Sequence, residues 1–129
     1  MQRPLERGGF TLIELIVVMA IVALLVSIAA PRYFRSVDRA KENTLHTSLN
    51  VMRDAIDQHL ADRGRYPETL ADLAASRYLR ELPEDPVTGR RDSWIPVPPP
   101  PDSAWAGQVF DVRSGAAGRA GDGRLYADW

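Results

Sequence analysis

The sequence predicts an α+β fold: a long N-terminal helix, membrane-spanning over its first half, packed on a small C-terminal head with a short helix and a few antiparallel strands. Three observations predict it. Positions 10–30 hold 18 hydrophobic residues out of 21, while the other 108 positions are about 37% hydrophobic, near the norm for soluble chains. From residue 31 to 63 the apolar residues thin to a single helical stripe. After Gly64 the chain breaks into short segments punctuated by proline and glycine.

Composition narrows the chemistry before any element is placed. Beyond the apolar run, a 129-residue chain has room for one modest domain. Its 16 Lys and Arg against 17 Asp and Glu give a formal charge of −1, which argues against a nucleic-acid binder that works by neutralising phosphates. With no cysteine, disulfides, thiol nucleophiles and thiolate zinc sites are excluded.

Residues 1–9 are short and polar, with Arg3 and Arg7 against Glu6, and make no element of their own. Residues 10–30 read Phe-Thr-Leu-Ile-Glu-Leu-Ile-Val-Val-Met-Ala-Ile-Val-Ala-Leu-Leu-Val-Ser-Ile-Ala-Ala. As a helix they span roughly 32 Å, enough for a bilayer core, and they lack the polar stripe of a soluble core helix. Three membrane readings compete. A secretory signal peptide would be cut near Ser27-Ile28-Ala29-Ala30, although the run is longer than such a peptide needs. A plain signal anchor accounts for the length and leaves Glu14 unexplained. Processing at Gly9-Phe10 would keep the whole apolar segment in the mature chain.

Glu14 bears on that choice. A carboxylate costs about 2.5–3.5 kcal/mol near the centre of a membrane helix and less near its end, and it is retained where it meets a partner. Cleavage before Phe10 would free an α-amino group one helical turn from Glu14. Each charge then compensates the other, and a neighbouring subunit can supply either. The alternative is a Glu14 that snorkels to the headgroups.

The segment Arg7-Gly8-Gly9-Phe10-Thr11-Leu12-Ile13-Glu14-Leu15, followed by unbroken apolar residues, resembles the prepilin cleavage and methylation signature of type IV pilins and type II secretion pseudopilins. The resemblance implies a type IV pilin-like fold and a membrane aspartyl prepilin peptidase that cuts after Gly9 and N-methylates Phe10. It implies that Glu14 neutralises a Phe10 amine during assembly. It also places a helix kink at Pro31, where proline removes one backbone hydrogen bond and crowds the preceding turn. The expected organisation is a leader over 1–9, a transmembrane and filament-core helix over 10–30, an amphipathic second half over 31–63 and a head over 64–129.

Within 31–63, Leu45, Leu49, Met52, Ile56 and Leu60 recur at three- and four-residue steps, the pattern of a stripe facing the head's core. Asp38, Arg39, Lys41, Glu42, Arg53, Asp54 and Asp57 are assigned mostly to other faces. Gly64 fits a helix C′ position and Pro67 forbids continuation. If unbroken across Pro31, the helix from Phe10 to Arg63 would run roughly 80 Å.

Residues 68–76 read as a short helix with Leu70, Leu73 and Ala74 inward. Leu82 to Gly89 is turn chemistry throughout. Ser93–Val97 and Gln108–Val112 are the candidate strands, and Pro98-Pro99-Pro100-Pro101 reads as a stiff exposed loop between them rather than a polyproline ligand. From Gly115 onward, four glycines with Leu125, Tyr126 and Trp129 suggest a loop pinned by aromatic packing.

The head extends the resemblance. Tyr66-Pro67, Tyr78-Leu79, Leu82-Pro83 and Asp85-Pro86 are similar to the segments that follow the long helix in major pseudopilins of type II secretion. The family's Asp-Pro is followed by an aromatic and a Gly-Asn turn. Here Val87-Thr88-Gly89 follows instead, and Trp94 is the candidate for the aromatic role. Phe110 to Gly118, Gly121-Asp122-Gly123 and Asp128-Trp129 resemble the family's calcium-binding loop, which implies Ca2+ held by Ser114, Asp122 and Asp128 with carbonyls of the 112–126 region. Ala117 stands where the family has an aspartate. The other reading of this stretch is a glycine-rich loop whose aspartates bond their own turns.

Catalytic patterns are absent from the sequence. His46 and His59 belong to no His-Glu-x-x-His motif, Val112-Arg113-Ser114-Gly115 lacks the first glycine of a nucleophile elbow, and no phosphate-binding loop opens a helix. The expectation is a non-enzymatic filament subunit: a homo-oligomer in the bacterial inner membrane, N-terminus cytoplasmic and head periplasmic. Its implied partners are the prepilin peptidase, other pseudopilins and inner-membrane assembly proteins of the secretion system. A type IV pilin, a minor pseudopilin or a signal-anchored periplasmic binding module that never polymerises are the alternatives.

Overall fold

The computed structural model describes residues 8–129, so the basic part of the expected leader, residues 1–7, lies outside the described residues. The chain forms two compact units, divided after Val37. Helix α1, Leu12–Arg63, supplies the regular structure among the described residues of the first unit and runs on into the second. It continues through Pro31, which lacks only the donor for a single rung of the helix. It stops at Gly64, whose φ of +66° favours glycine and whose N–H reaches the Leu60 carbonyl at 2.8 Å.

In the first unit none of the described residues is buried. Leu12, Ile13, Ile16, Val17, Val18, Met19 and their successors are exposed, and this stretch is long and apolar enough to cross a membrane. Its hydroxyls are absorbed locally. Ser27 donates to the Leu24 carbonyl at 2.6 Å, and Thr11 caps the helix start.

The second unit has a true core. Leu45, Leu49, Met52 and Ile56 are fully buried along one face of α1, as the stripe predicts, and Leu60 is partly buried at its end. Helix α2, Leu70–Ala75, adds Leu73 and Leu70. It is held by a reciprocal capping box, in which Asp72 N–H donates to Thr69 Oγ1 and Thr69 N–H donates to the Asp72 carboxylate. Trp94, Val109, Val112 and Trp129 close the core from the far side.

Strands β1, Ile95–Val97, and β2, Asp111–Arg113, pair antiparallel with Pro96 opposite Val112. Both are shorter than the candidate segments, and β2 starts three residues later than Gln108. The reason lies in residues 106–109, which pair with the chain after α1 instead of with β1. Tyr66 N–H donates to the Ala106 carbonyl at 2.7 Å, and the N–H groups of Gln108 and Val109 both donate to the Pro67 carbonyl. Pro98 to Pro101 fall in the connection between the strands, outside any regular element. The C-terminal segment ends in a 3-10 turn, Tyr126–Asp128.

Candidate functional site

Two regions hold the candidate residues. At the N-terminal junction, Gly8, Gly9 and Phe10 precede the helix without regular structure, and Phe10 is 86% exposed. A Cβ at Gly8 or Gly9 would meet nothing within 4 Å. The chain itself therefore sets no steric demand for glycine there. Thr11 begins the helix, with Glu14 N–H donating to Thr11 Oγ1 at 3.2 Å and Leu15 N–H to the Thr11 carbonyl at 3.2 Å. Thr-x-x-Glu is the spacing of a capping box, yet only the threonine half is made. Among the described residues the Glu14 carboxylate has no hydrogen-bond or ion-pair partner, in the middle of exposed apolar surface. It gains from the positive end of the helix dipole, and none of the described residues occupies its acceptor oxygens.

The second region is the C-terminal loop and the turn it rests on. Asp85 is completely buried. Its Oδ1 accepts from Val87 N–H at 2.8 Å and Thr88 N–H at 3.3 Å, and its Oδ2 accepts from the Ser114 hydroxyl at 2.5 Å. Ser114 Oγ in turn accepts from Ala116 N–H at 3.1 Å. Gly115 follows because a Cβ there would sit 2.1 Å from the Ser93 carbonyl oxygen. Trp94, the expected aromatic, is buried and donates from Nε1 to the Pro83 carbonyl at 2.7 Å, pinning the approach to Asp85.

Beyond Ala117 the loop folds back on itself. Ala120 N–H donates to the Arg124 carbonyl, Gly123 N–H to the Ala120 carbonyl, and Arg119 pairs with Leu125 as an isolated bridge. Both oxygens of Asp122 accept from Arg124, from its N–H at 3.0 Å and its Nε at 2.8 Å. That backbone N–H first, and the guanidinium second, hold the Asp122 carboxyl below the usual carboxylate range. Asp128 lies 4.0 Å from Arg113. The three residues expected to hold calcium are thus each engaged by a different partner: Ser114 with Asp85, Asp122 with Arg124, Asp128 with Arg113. Among the described residues, no three His, Cys, Asp or Glu side chains are grouped to hold a metal ion. As arranged, this donor set does not fit Ca2+.

Sequence reasoning missed Asp85 as a ligand of the loop and placed Arg53 off the core face. Arg53 is half-buried, with Nε on Asp111 Oδ1 at 2.8 Å and Nη2 on the carbonyls of Val112 and Trp129 at 3.1 and 2.7 Å. The signal was available, since Arg53 is four residues after Leu49 and three before Ile56, on the edge of their stripe. Trp129 stacks on His46 of α1, with ring centroids 4.0 Å apart, and meets Tyr126 edge-on. The expected aromatic pinning of this segment is therefore present.

Comparison with known proteins adds to the geometry. Residues 6–30 match the prokaryotic N-terminal methylation motif. The type II secretion system core protein G of Klebsiella michiganensis is 30% identical over 105 residues, covering 69% of this chain and 73% of that protein. The protein of the same name from Pseudomonas aeruginosa is 30% identical over 102 residues, covering 67% and 71%. That from Vibrio cholerae is 27% identical over 101 residues, covering 67% and 69%. No solved structure matches the chain.

Proposed function

The chain belongs to the family of type II secretion system core protein G, and from that membership we propose that it is a structural subunit of the secretion pseudopilus. The role is assembly rather than catalysis. The chain is membrane-anchored through the exposed apolar half of α1 and joins other components of the secretion system. Its N-terminus faces the cytoplasm and its head the periplasm. A prepilin peptidase hydrolyses the Gly9–Phe10 bond and methylates the new Phe10 amine, and the subunit then moves from lipid into a helical filament with copies of itself and other pseudopilins, driving export of folded proteins.

The single observation that carries this reading is the Glu14 carboxylate, unpartnered among the described residues, in the exposed apolar half of α1, one turn from the residue that cleavage would make the first. A lone carboxylate there disfavours burial among apolar neighbours. A Phe10 amine from the next subunit neutralises it, while the exposed Leu, Ile and Val side chains exchange lipid for each other with a gain in packing. Family membership supports the rest.

Replacing Glu14 by Leu tests the assembly step. Membrane insertion and cleavage after Gly9, read by fractionation and intact mass, should persist, while filaments seen by electron microscopy and secretion disappear. Normal filaments and secretion from Glu14→Leu would overturn the pairing. A mature chain whose mass does not begin at Phe10 would overturn the processing.

A further inference from the structure

We propose that the C-terminal loop closes on the chain's own arginines instead of a divalent cation, so that the head folds and keeps its shape independently of calcium. Four observations point the same way. Two of the three side chains a cation would draw on are already engaged. Ser114 is turned to Asp85, and Asp122 has both oxygens on Arg124. Along the loop, the carbonyls of Gly118, Ala120, Arg124 and Leu125 accept from backbone N–H groups, and that of Gly123 accepts from the Arg119 guanidinium at 2.9 Å.

The side chains between Asp111 and Trp129 balance, three arginines against three aspartates, and Ala117 contributes no carboxylate. The carboxylate that reaches the loop from α1, Glu42, is already accepting from Gly121 N–H at 2.7 Å. Backbone pairing closes the hairpin of the loop through Ala120 and Arg124 without any bridging ion.

Arg53 supplies the tie that a metal would otherwise make between the two ends of the loop. One guanidinium joins a carboxylate and a carbonyl at the loop's entry, Asp111 and Val112, to the Trp129 carbonyl at its exit. The planar fork of arginine suits this multiple contact, and the ammonium of lysine does not reproduce it. Because Arg53 belongs to α1, the loop is fastened to the same helix that carries the head's core.

Thermal unfolding of the full chain in detergent micelles, with excess calcium chloride and separately with a chelator, tests the proposal together with calcium titration calorimetry. The expected result is the same melting temperature in both conditions and no saturable heat of calcium binding. Arg53→Met should melt lower by roughly 5 °C in both conditions, and Arg53→Lys should recover only part of that loss. A rise in melting temperature with calcium, saturable calcium binding, or an Arg53→Met chain that melts like the parent would each overturn the proposal. If Arg53→Met does not fold at all, the calorimetry and melting of the parent chain still decide it.

Discussion

The Ser114 hydroxyl donates to the Asp85 carboxylate at 2.5 Å inside the head, joining two segments 29 residues apart in the chain. Asp85 also organises its own turn, with Val87 and Thr88 donating to Oδ1 and Gly89 N–H donating to the Asp85 carbonyl at 2.8 Å. The Asp-Pro step is therefore a buried hub from which the C-terminal loop departs, and the loop's first polar side chain is committed to it.

Asp85→Ala should lose about 2–4 kcal/mol of stability, because the Ser114 hydroxyl and two backbone N–H groups are left buried without an acceptor. Ser114→Ala should lose less, about 1–2 kcal/mol, since the carboxylate keeps its two backbone donors. Urea unfolding followed by far-UV circular dichroism measures both. Equal stability of Asp85→Ala and the parent would remove Asp85 from its place at the centre of the head.

Trp129 separates packing from hydrogen bonding. Its ring is buried against His46 and Tyr126, while its buried Nε1 has no hydrogen-bond partner among the described residues. Trp129→Phe keeps most of the stacking and removes the unpaired N–H, so it should lie within about 1 kcal/mol of the parent. Trp129→Ala should lose about 3–5 kcal/mol. Chemical denaturation of the two variants side by side gives the contrast, and a Phe variant as weak as the Ala variant would contradict it.

Alkaline pH should loosen the same corner. Burial first, then the negative charges of Glu42 and Asp38 on α1, raise the Tyr126 hydroxyl above its ordinary value of 10.0. The folded state therefore holds this proton more tightly than the unfolded chain does. The stability it contributes is complete below the ordinary value and is lost as pH rises past it through the folded value. Melting temperature against pH should fall less steeply above pH 10.0 in Tyr126→Phe than in the parent. Parallel curves would contradict the assignment.

Two glycines should behave in opposite ways. At Gly115 an added Cβ would meet the Ser93 carbonyl at 2.1 Å, so Gly115→Ala should destabilise the head by about 1–3 kcal/mol. At Gly8, where nothing lies within 4 Å, Gly8→Ala should leave the melting temperature unchanged. Differential scanning of both variants reads the difference.

Much of this was legible in the sequence because it depends on period and on local chemistry. The apolar run of 10–30, the stripe Leu45, Leu49, Met52 and Ile56, the stop at Gly64 and the short helix around Leu70 and Leu73 each follow from spacing over a few residues. The strands were less legible, since residues 106–109 had two possible partners and took Tyr66 and Pro67. The loop admits two readings from its sequence, a calcium site and a glycine-rich loop whose aspartates bond their own turns, and Asp122 on the Arg124 N–H has the second arrangement. Arginines at 53, 113 and 124 compete for the same oxygens that a metal would use, and which donor reaches them depends on contacts across 58 to 76 residues of chain for Arg53 alone. The stripe places Arg53 at the edge of the core face and Asp122 meets Arg124 two residues away, but which oxygens Arg53 reaches depends on the fold of the whole head. Glu14 stands out in the sequence as the one carboxylate in the apolar run, whose cost is met either by a partner or by reaching the headgroups.

In the proposed assembly, subunits pack through the apolar half of α1, with Glu14 meeting the Phe10 amine of a neighbour. The chain has no cysteine of its own, so cysteine pairs scanned across residues 12–28 and oxidised in membranes report only contacts between copies. A ladder of cross-linked multimers is expected for specific pairs in the parent background, and its loss when Glu14→Leu is added. Monomers alone at every pair, or an undiminished ladder with Glu14→Leu, would contradict it.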